Sequence, residues 1–327
     1  MEQAIYEDKR TSKIDKEEKR TILVKRKRNL KKFMPLFIMM LPGLLYFLIN
    51  NYLPMLGMVI AFKEINFTVG IIESDWVGFK NFEYLFSTKD AWIITRNTIL
   101  YNVVFIILTM SISIGIAILL NEIKNKIFVQ FYQSIILLPH LISFVIISYL
   151  VYSALSLDTG FMNNTVLPAI GEDRVSWYME PQYWPYILTS VHLWKGIGFS
   201  TLIYFAAVIG ISEEYYEAAK LDGASKFKQI FKITIPLITP VIILLTLLAI
   251  GRIFYADFGL FYQVPMNSGM LFDTTNVIDT YVFRGLLGLG DVSMATAAGV
   301  YQSIVGFILV LTANFIIRRV SKENALF

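Results

Sequence analysis

The chain has 327 residues, of which 56% are hydrophobic and 17% are charged, and its formal net charge is +4. Because soluble domains carry about 25% charged residues, this composition argues against a soluble protein. The chain has no cysteine, which excludes disulfides, thiolate nucleophiles and cysteine metal sites. Its two histidines, His140 and His192, are far apart in the sequence, so we predict no metal site.

Six apolar segments are long enough to cross a bilayer, because a helix of about 20 residues spans the hydrocarbon core. Four of them contain no charged residue: 34–62, 97–120, 127–157 and 292–317. The other two hold one formal charge each, Lys195 in 185–212 and Arg252 in 233–256. The sequence therefore predicts an all-α, polytopic membrane protein with six transmembrane helices.

The first apolar segment follows a hydrophilic stretch that is rich in lysine and arginine. We predict a cytoplasmic basic tail over residues 1–33 and a six-span domain over 34–327. The run VKRKRNLKK at 24–32 favours an anchor on anionic lipid over a nucleic-acid arm, since it lies beside the first span. With the N-terminus inside, 21 of the 29 lysines and arginines fall in cytoplasmic segments and six in the opposite loops. The positive-inside rule therefore predicts that both termini are cytoplasmic.

The loop 212–236 joins the fourth and fifth apolar segments and predicts a helix–turn–helix at the inner membrane surface. Ser212 can cap the first helix, whose opening turn carries acidic residues where the helix dipole favours them. Gly223 can end that helix with a positive φ, and a second helix starts near Ser225. Pro236 either stops the second helix or begins the next span. An ordinary amphipathic interfacial loop would share these features.

A longer pattern in this loop favours a specific function. The sequence EAAKLDG at 217–223 is followed by nine residues and then ITIP. This resembles the EAA loop of ABC-importer permeases, with Ile235 where the family usually has leucine. The blocks LPGLLYFLINNYLPMLGMVIAFKEIN (41–66) and LLPHLISFVI also resemble carbohydrate permeases of the maltose-importer class. The closer likeness is to the subgroup that handles oligosaccharides and polysaccharide fragments.

The resemblance implies the type I importer fold and a coupling role for the loop. Glu217, Ala218, Ala219 and Gly223 match the motif, and Asp222 lies at a variable position within it. These residues would dock into a cleft on an ATPase subunit and transmit its ATP-driven closure to the spans.

The resemblance also implies the partners and the location of the protein. The partners would be a second permease, usually a different chain, two ATPase subunits, an extracytoplasmic sugar-binding protein and an oligosaccharide substrate, in a bacterial cytoplasmic membrane. The chain lacks the G-x-x-x-x-G-K-[ST] motif of a P-loop, so we expect ATP and Mg²⁺ on the ATPase and no cofactor or catalysis here.

Polar and aromatic residues inside the spans are candidates for a sugar path, because ionisable groups at membrane depth usually face protein or water. The candidates are Trp194 and Lys195 in the fourth segment, Arg252, Tyr255 and Asp257 at the fifth, and Tyr149 and Tyr152 in the third. Helical spacing would place Arg252 and Tyr255 on one face. Structural alternatives remain for three of them. Lys195 could extend to the membrane interface, Asp257 could mark the end of its span, and Arg252 could pair with a carboxylate.

The sixth segment carries a stripe of small residues, Ala295, Gly299 and Ser303, at a spacing of four. Such stripes let helix backbones approach each other closely in lipid. We predict that this stripe packs within the chain rather than against a second permease.

Three other classes of protein remain as alternatives. A secondary transporter driven by an ion gradient would require paired intramembrane carboxylates or inverted repeats, and the four uncharged spans hold no Asp or Glu. An intramembrane enzyme would require a nucleophile–base pair or a metal set, for which the composition offers few residues. An exporter would not carry an EAA-type loop.

Overall fold

The computed structural model describes residues 33–320 of a chain that divides into two units, residues 1–59 and 60–327. The predicted basic tail, 1–33, lies outside the described residues except for Phe33. The first helix, α1, extends over Phe33–Phe62 and contains the boundary between the units. All elements described next belong to the second unit.

The second unit is built from helices. In chain order they are α2 (Lys80–Ser87), α3 (Lys89–Glu122), α4 (Lys126–Leu141), α5 (Phe144–Leu155), α6 (Trp184–Ile209), α7 (Glu213–Leu221), α8 (Lys226–Ile250), α9 (Ile278–Arg284) and α10 (Val292–Val320). Within residues 33–320, five helices (α1, α3, α6, α8 and α10) are long and apolar enough to cross a membrane. A sixth crossing results if the bent pair α4 and α5 counts as one span.

Shorter elements lie in the connections. A two-stranded antiparallel sheet pairs β1 (Lys63–Glu64) with β2 (Asp75–Trp76), so that Lys63 lies opposite Trp76. The remaining short elements are α-helices at Gly70–Glu73, Leu167–Ile170 and Phe272–Thr275, 3₁₀ turns at Trp177–Met179, Pro181–Tyr183 and Gly269–Leu271, and π turns at Met162–Val166, Gly259–Gln263 and Gly285–Leu289.

The third apolar segment is not the single helix that its composition predicted. Helices α4 and α5 meet at an angle of 95°. Pro139 lies in the last turn of α4, and Ile142 adopts an extended conformation with φ −80° and ψ 133°. Ser143 then caps α5, since its hydroxyl accepts a hydrogen bond from the Ile146 amide at 3.4 Å. We call residues 139–144 the elbow.

The fifth apolar segment also differs from the prediction at both ends. Helix α8 begins at Lys226 and passes through a π turn at Ile230–Thr234 before it enters the span. It ends at Ile250, and residues 251–254 form a turn, so the predicted helix does not reach Arg252 and Tyr255. The predicted helical setting of these two residues is wrong, although both line one cavity. We call residues 251–257 the break.

Helix α3 lies between two clusters of buried apolar side chains. One cluster combines α3 with α5, α6 and residues 260–277, and the other combines α3 with α2, α9 and α10. The small-residue stripe of α10 only begins in this core. Ala295 is buried, whereas Gly299 has open space where a Cβ would stand and Ser303 is exposed. The predicted packing within the chain is therefore seen at Ala295 but not at Ser303, because the exposed stripe turns away from the face of α10 that carries the buried Gln302 and Gly306.

Candidate coupling helix and translocation cavity

Helix α7 is defined at both ends by the caps that its sequence predicts. The Ser212 hydroxyl accepts a hydrogen bond from the Glu214 amide at 3.4 Å. At the other end, Gly223 has φ +73°, its amide donates to the Lys220 carbonyl at 3.0 Å, and the Ala224 amide donates to the Ala219 carbonyl at 2.8 Å. This pair of bonds is the Schellman motif, which needs a residue that tolerates positive φ. The predicted helix and its terminating glycine are confirmed.

The predicted coupling residues lie on an exposed surface. No residue of α7 is buried, and Glu217, Ala218, Asp222 and Gly223 are exposed while Ala219 is half-buried. Leu221, the last residue of α7, is 90% exposed. The two alanines give the helix a low profile, so that a partner's groove can approach its backbone.

Side-chain contacts attach α7 to α8, and the start of α8 to the end of α3. The hydroxyls of Tyr216 and Thr234 lie 2.9 Å apart and join α7 to α8. At the start of α8, the Lys226 ammonium pairs with the Glu122 carboxylate at the end of α3, at 2.6 Å. Both of these charged side chains are about half exposed, so the pair contributes about 1 kcal/mol at most.

A cavity of about 590 Å³ lies between α3, α6 and the break. It brings together three of the predicted path residues, Arg252, Tyr255 and Asp257. Among the described residues, the Arg252 guanidinium has no hydrogen-bond or ion-pair partner, so the predicted alternative of a carboxylate pair is not realised within them. The other lining residues are Asn102, Phe105, Ile106, Thr109, His192, Ala249, Ala256 and Phe258.

Asp257 is the acidic group of this cavity. Its Oδ1 accepts a hydrogen bond from the Leu260 amide at 3.3 Å at the start of the next π turn. The cavity therefore combines one carboxyl group with an unpaired cation.

Asn102 holds two carbonyls of the break, those of Ile253 and Tyr255. Its side-chain amide donates to the Ile253 carbonyl at 2.9 Å and to the Tyr255 carbonyl at 3.2 Å. These carbonyls have left the helical hydrogen-bond pattern, and a backbone polar group at membrane depth requires another partner. Sequence reasoning missed this role, although an asparagine within an uncharged span was the available signal.

Gln302 and Asp279 hold the break at the two alternate residues, Phe254 and Ala256. The Gln302 amide donates to the Phe254 carbonyl at 2.7 Å and to the Asp279 carboxylate at 3.0 Å. That carboxylate also accepts a hydrogen bond from the Ala256 amide at 2.7 Å. Burial raises the pKa of the Asp279 carboxyl, and the two hydrogen bonds oppose the rise. Helices α3, α9 and α10 thus fix the backbone that carries Arg252 and Tyr255.

Lys195 does not line the cavity and instead donates hydrogen bonds to backbone carbonyls. Its ammonium donates to the carbonyls of Pro139, His140 at 3.0 Å and Ile142, and it lies 4.8 Å from the Phe144 ring centroid. These carbonyls are at the C-terminal end of α4, where helices leave acceptors unsatisfied and favour a cation. Lys195 therefore caps the elbow from α6.

The three remaining path candidates also lie outside this cavity. Trp194 and Tyr149 are 47% and 65% exposed, and Tyr152 lines a different cavity. Their role in a path stays a prediction. His192 was not among the predicted path residues, but it lines the cavity, and its ring is stacked on Phe105 with 3.7 Å between the ring centroids. No group of metal-ligating side chains occurs among the residues the structure describes.

The arrangement of spans and loop has a counterpart in a known family. The family of binding-protein-dependent transport system inner membrane components matches residues 97–322. The chain belongs to this family. The predicted family and all-α permease fold are thereby confirmed.

Individual relatives are similar over most of the chain. A polygalacturonan/rhamnogalacturonan transport system permease protein of Bacillus subtilis, YteP, is 34% identical over 303 residues, or 92% of this chain and 94% of the relative. A solved bacterial ABC transporter involved in the import of the acidic polysaccharide alginate has a chain with a TM-score of 0.82 and 33% identity. That match covers 90% of this chain and 98% of the other. A second structure, of an alginate ABC transporter in complex with an alginate pentasaccharide-bound periplasmic protein, matches with a TM-score of 0.81.

Proposed function

We propose that this chain is a membrane-spanning permease subunit of an ATP-driven importer for carboxylate-bearing oligosaccharides. It lies in a bacterial cytoplasmic membrane with both termini in the cytoplasm. It pairs with a second permease, two ATPase subunits and an extracytoplasmic sugar-binding protein. The chain itself performs no covalent chemistry and holds no cofactor, and ATP and Mg²⁺ bind the ATPase.

One observation carries the transport mechanism. A single helix, α8, joins the exposed coupling helix to the break, because it follows α7 directly and ends one residue before Gly251. Its 25 residues span about 37 Å at 1.5 Å per residue. Movement of an ATPase against α7 is transmitted along α8 to the break, and it changes the shape of the cavity that Arg252, Tyr255 and Asp257 line.

The unpaired guanidinium of Arg252 supports the substrate class. A cation without a protein partner is costly at membrane depth, and it gains most from an anionic ligand that supplies the missing hydrogen bonds. Uronic acids provide such a carboxylate, and the names of the relatives refer to acidic polysaccharides in both cases. The remaining lining groups, including Tyr255 and Asn102, can meet sugar hydroxyls and ring faces. No observation favours a secondary transporter.

The test is reconstitution of the chain with its co-purifying subunits into liposomes. Labelled oligogalacturonate is offered outside with its binding protein, and ATP is enclosed inside. We expect uptake that requires ATP and the binding protein and that continues when ionophores abolish ion gradients. Uptake that follows an ion gradient without ATP would contradict the proposal and restore the secondary transporter.

A further inference from the structure

A second cavity, of about 350 Å³, lies at the opposite end of the bundle from the coupling helix. It is formed by the end of α5, the turn at 156–159 and the loop at 176–179. This loop precedes α6 at Trp184, whereas α7 follows α6 after Ile209, so α6 separates the two regions by its full length. We call this the outer cavity, and the family match assigns nothing to it.

A fully buried asparagine makes the floor of the outer cavity rigid. The Asn163 amide donates to the Ser156 carbonyl at 3.1 Å and to the Val175 carbonyl at 3.0 Å. Its side-chain oxygen accepts from the Val175 amide at 3.0 Å and from the Trp177 indole at 3.3 Å. Every hydrogen-bonding position of this side chain is used, so the two loops are fixed to each other before any ligand arrives.

Aromatic rings form one wall of this cavity. The Tyr178 ring lies 5.6 Å from Tyr152 and 5.1 Å from Trp184, and the Trp184 indole donates to the Trp177 carbonyl at 2.7 Å. Burial raises the pKa of the Tyr178 phenol, so it stays neutral at physiological pH. The rings are therefore held by one another, while 45% of the Tyr152 side chain remains accessible.

Three polar groups around the rings have no partner among the described residues. These are the Tyr152 hydroxyl, the Asp158 carboxylate and the Ser176 hydroxyl, all of which line the cavity. A pocket with aromatic walls and a few convergent polar groups is the usual form of a small-molecule site. A pyranose ring matches it, since the ring offers apolar C–H faces to aromatic rings and hydroxyls to polar groups.

We propose that the outer cavity binds one pyranose unit of an oligosaccharide before the oligosaccharide reaches the cavity that Arg252 lines. This proposal rests on the function proposed above. The exposed Tyr152 ring contacts the face of the sugar, and Asp158 and Ser176 accept hydrogen bonds from its hydroxyls. Because Asp158 repels a second carboxylate, a uronic acid binds with its carboxylate turned away from this residue. Only an oligosaccharide long enough to occupy both cavities gains affinity from both.

The experiment measures how uptake depends on chain length in the reconstituted transporter. Oligogalacturonates from the disaccharide to the hexasaccharide are compared in wild type, Tyr152→Ala and Tyr152→Phe. The matched control is Tyr132→Ala, because Tyr132 is 46% exposed on α4 and lines neither cavity. For Tyr152→Ala we expect the KM of the hexasaccharide to rise about fivefold, and the effect to shrink as the chain shortens. Tyr152→Phe keeps the ring, so its KM should rise only about twofold, which corresponds to the loss of one hydrogen bond.

The proposal would be overturned if Tyr152→Ala changed KM equally for every oligosaccharide length. It would also be overturned if Tyr152→Ala left KM unchanged while wild type and the Tyr132→Ala control were active. A direct measurement separates this outcome from failure of the proposed function. Saturation-transfer NMR of the full chain in nanodiscs with trigalacturonate requires no transport. Saturation transfer from the wild-type protein to the sugar, lost in Tyr152→Ala and retained in Tyr132→Ala, supports binding in the outer cavity even if ATP-driven uptake is absent. The absence of transfer in wild type refutes binding there.

Discussion

Replacing Lys195 with methionine is expected to loosen the elbow. The substitution keeps most of the apolar stem but removes the ammonium that donates to three carbonyls at the end of α4. A hydrogen bond with a charged donor contributes about 1.5–3 kcal/mol, and the three share one donor group, so we expect a loss of about 3 kcal/mol. That loss raises the population of locally open states about a hundredfold.

Hydrogen exchange measured by mass spectrometry on the full transporter reads this opening directly. The informative amides are Ile142, which donates to the Pro139 carbonyl at 3.2 Å, and Ile147, which donates to the Ser143 carbonyl at 3.1 Å. We expect their exchange to accelerate about a hundredfold in Lys195→Met and much less in Lys195→Arg, which keeps the charge. Lys124→Met is the matched control, because this exposed lysine has no hydrogen-bond or ion-pair partner in the described part of the chain.

The same variant separates the two roles considered for this lysine. If Lys195 caps the elbow, faster exchange accompanies any loss of uptake. Unchanged exchange at the elbow, together with reduced uptake in Lys195→Met, would refute the cap and make Lys195 a lining residue of the path.

Three further predictions concern coupling, charge and the break. In Gly223→Val, a side chain at φ +73° costs about 1–2 kcal/mol and distorts the end of α7, so ATP hydrolysis should continue with little uptake. Gly171→Val, at φ +80° in another loop, should leave the ratio of uptake to hydrolysis unchanged, and equal ratios in both variants would contradict the coupling role. In Arg252→Gln, uptake of oligogalacturonate should fall about tenfold while uptake of a neutral oligosaccharide of equal length changes little; parallel losses would argue against charge recognition. In Asn102→Leu, two carbonyls lose their donor, so thermal unfolding in detergent should show a loss of about 2–4 kcal/mol, and an unchanged midpoint would mean that the break does not depend on this side chain.

Local signals predicted the coupling helix correctly. Ser212 and Gly223 determine the two ends of α7 through bonds that lie within a few residues along the chain. The presence of apolar spans followed from composition for the same reason, since length and hydropathy are properties of one segment. The predicted coupling role of Glu217 and its neighbours depends on contacts with an ATPase subunit and stays a prediction.

The elbow and the break could not be predicted because their stability comes from distant residues. The elbow depends on Lys195, which is 53 to 56 positions away along the chain. The carbonyls of the break depend on Asn102, 151 and 153 positions away, and on Gln302, 48 positions away. Hydropathy alone describes both segments as continuous spans, because it does not contain the polar partners that make an interruption tolerable in lipid.

Helix α6 approaches the backbone of α4 closely at Gly198, and this contact has a mechanical consequence. A methyl group at this position would collide with the backbone of Ile136, so α6 and α4 touch without intervening side chains. Such a contact allows little sliding, and the two helices should move as one stiff lever. Three residues connect α6 to α7, and four connect α7 to α8. A displacement of α7 is therefore transmitted to both α6 and α8. Helix α6 moves the elbow through its contact with α4, and α8 displaces the break. The elbow and the break should therefore open together rather than one after the other.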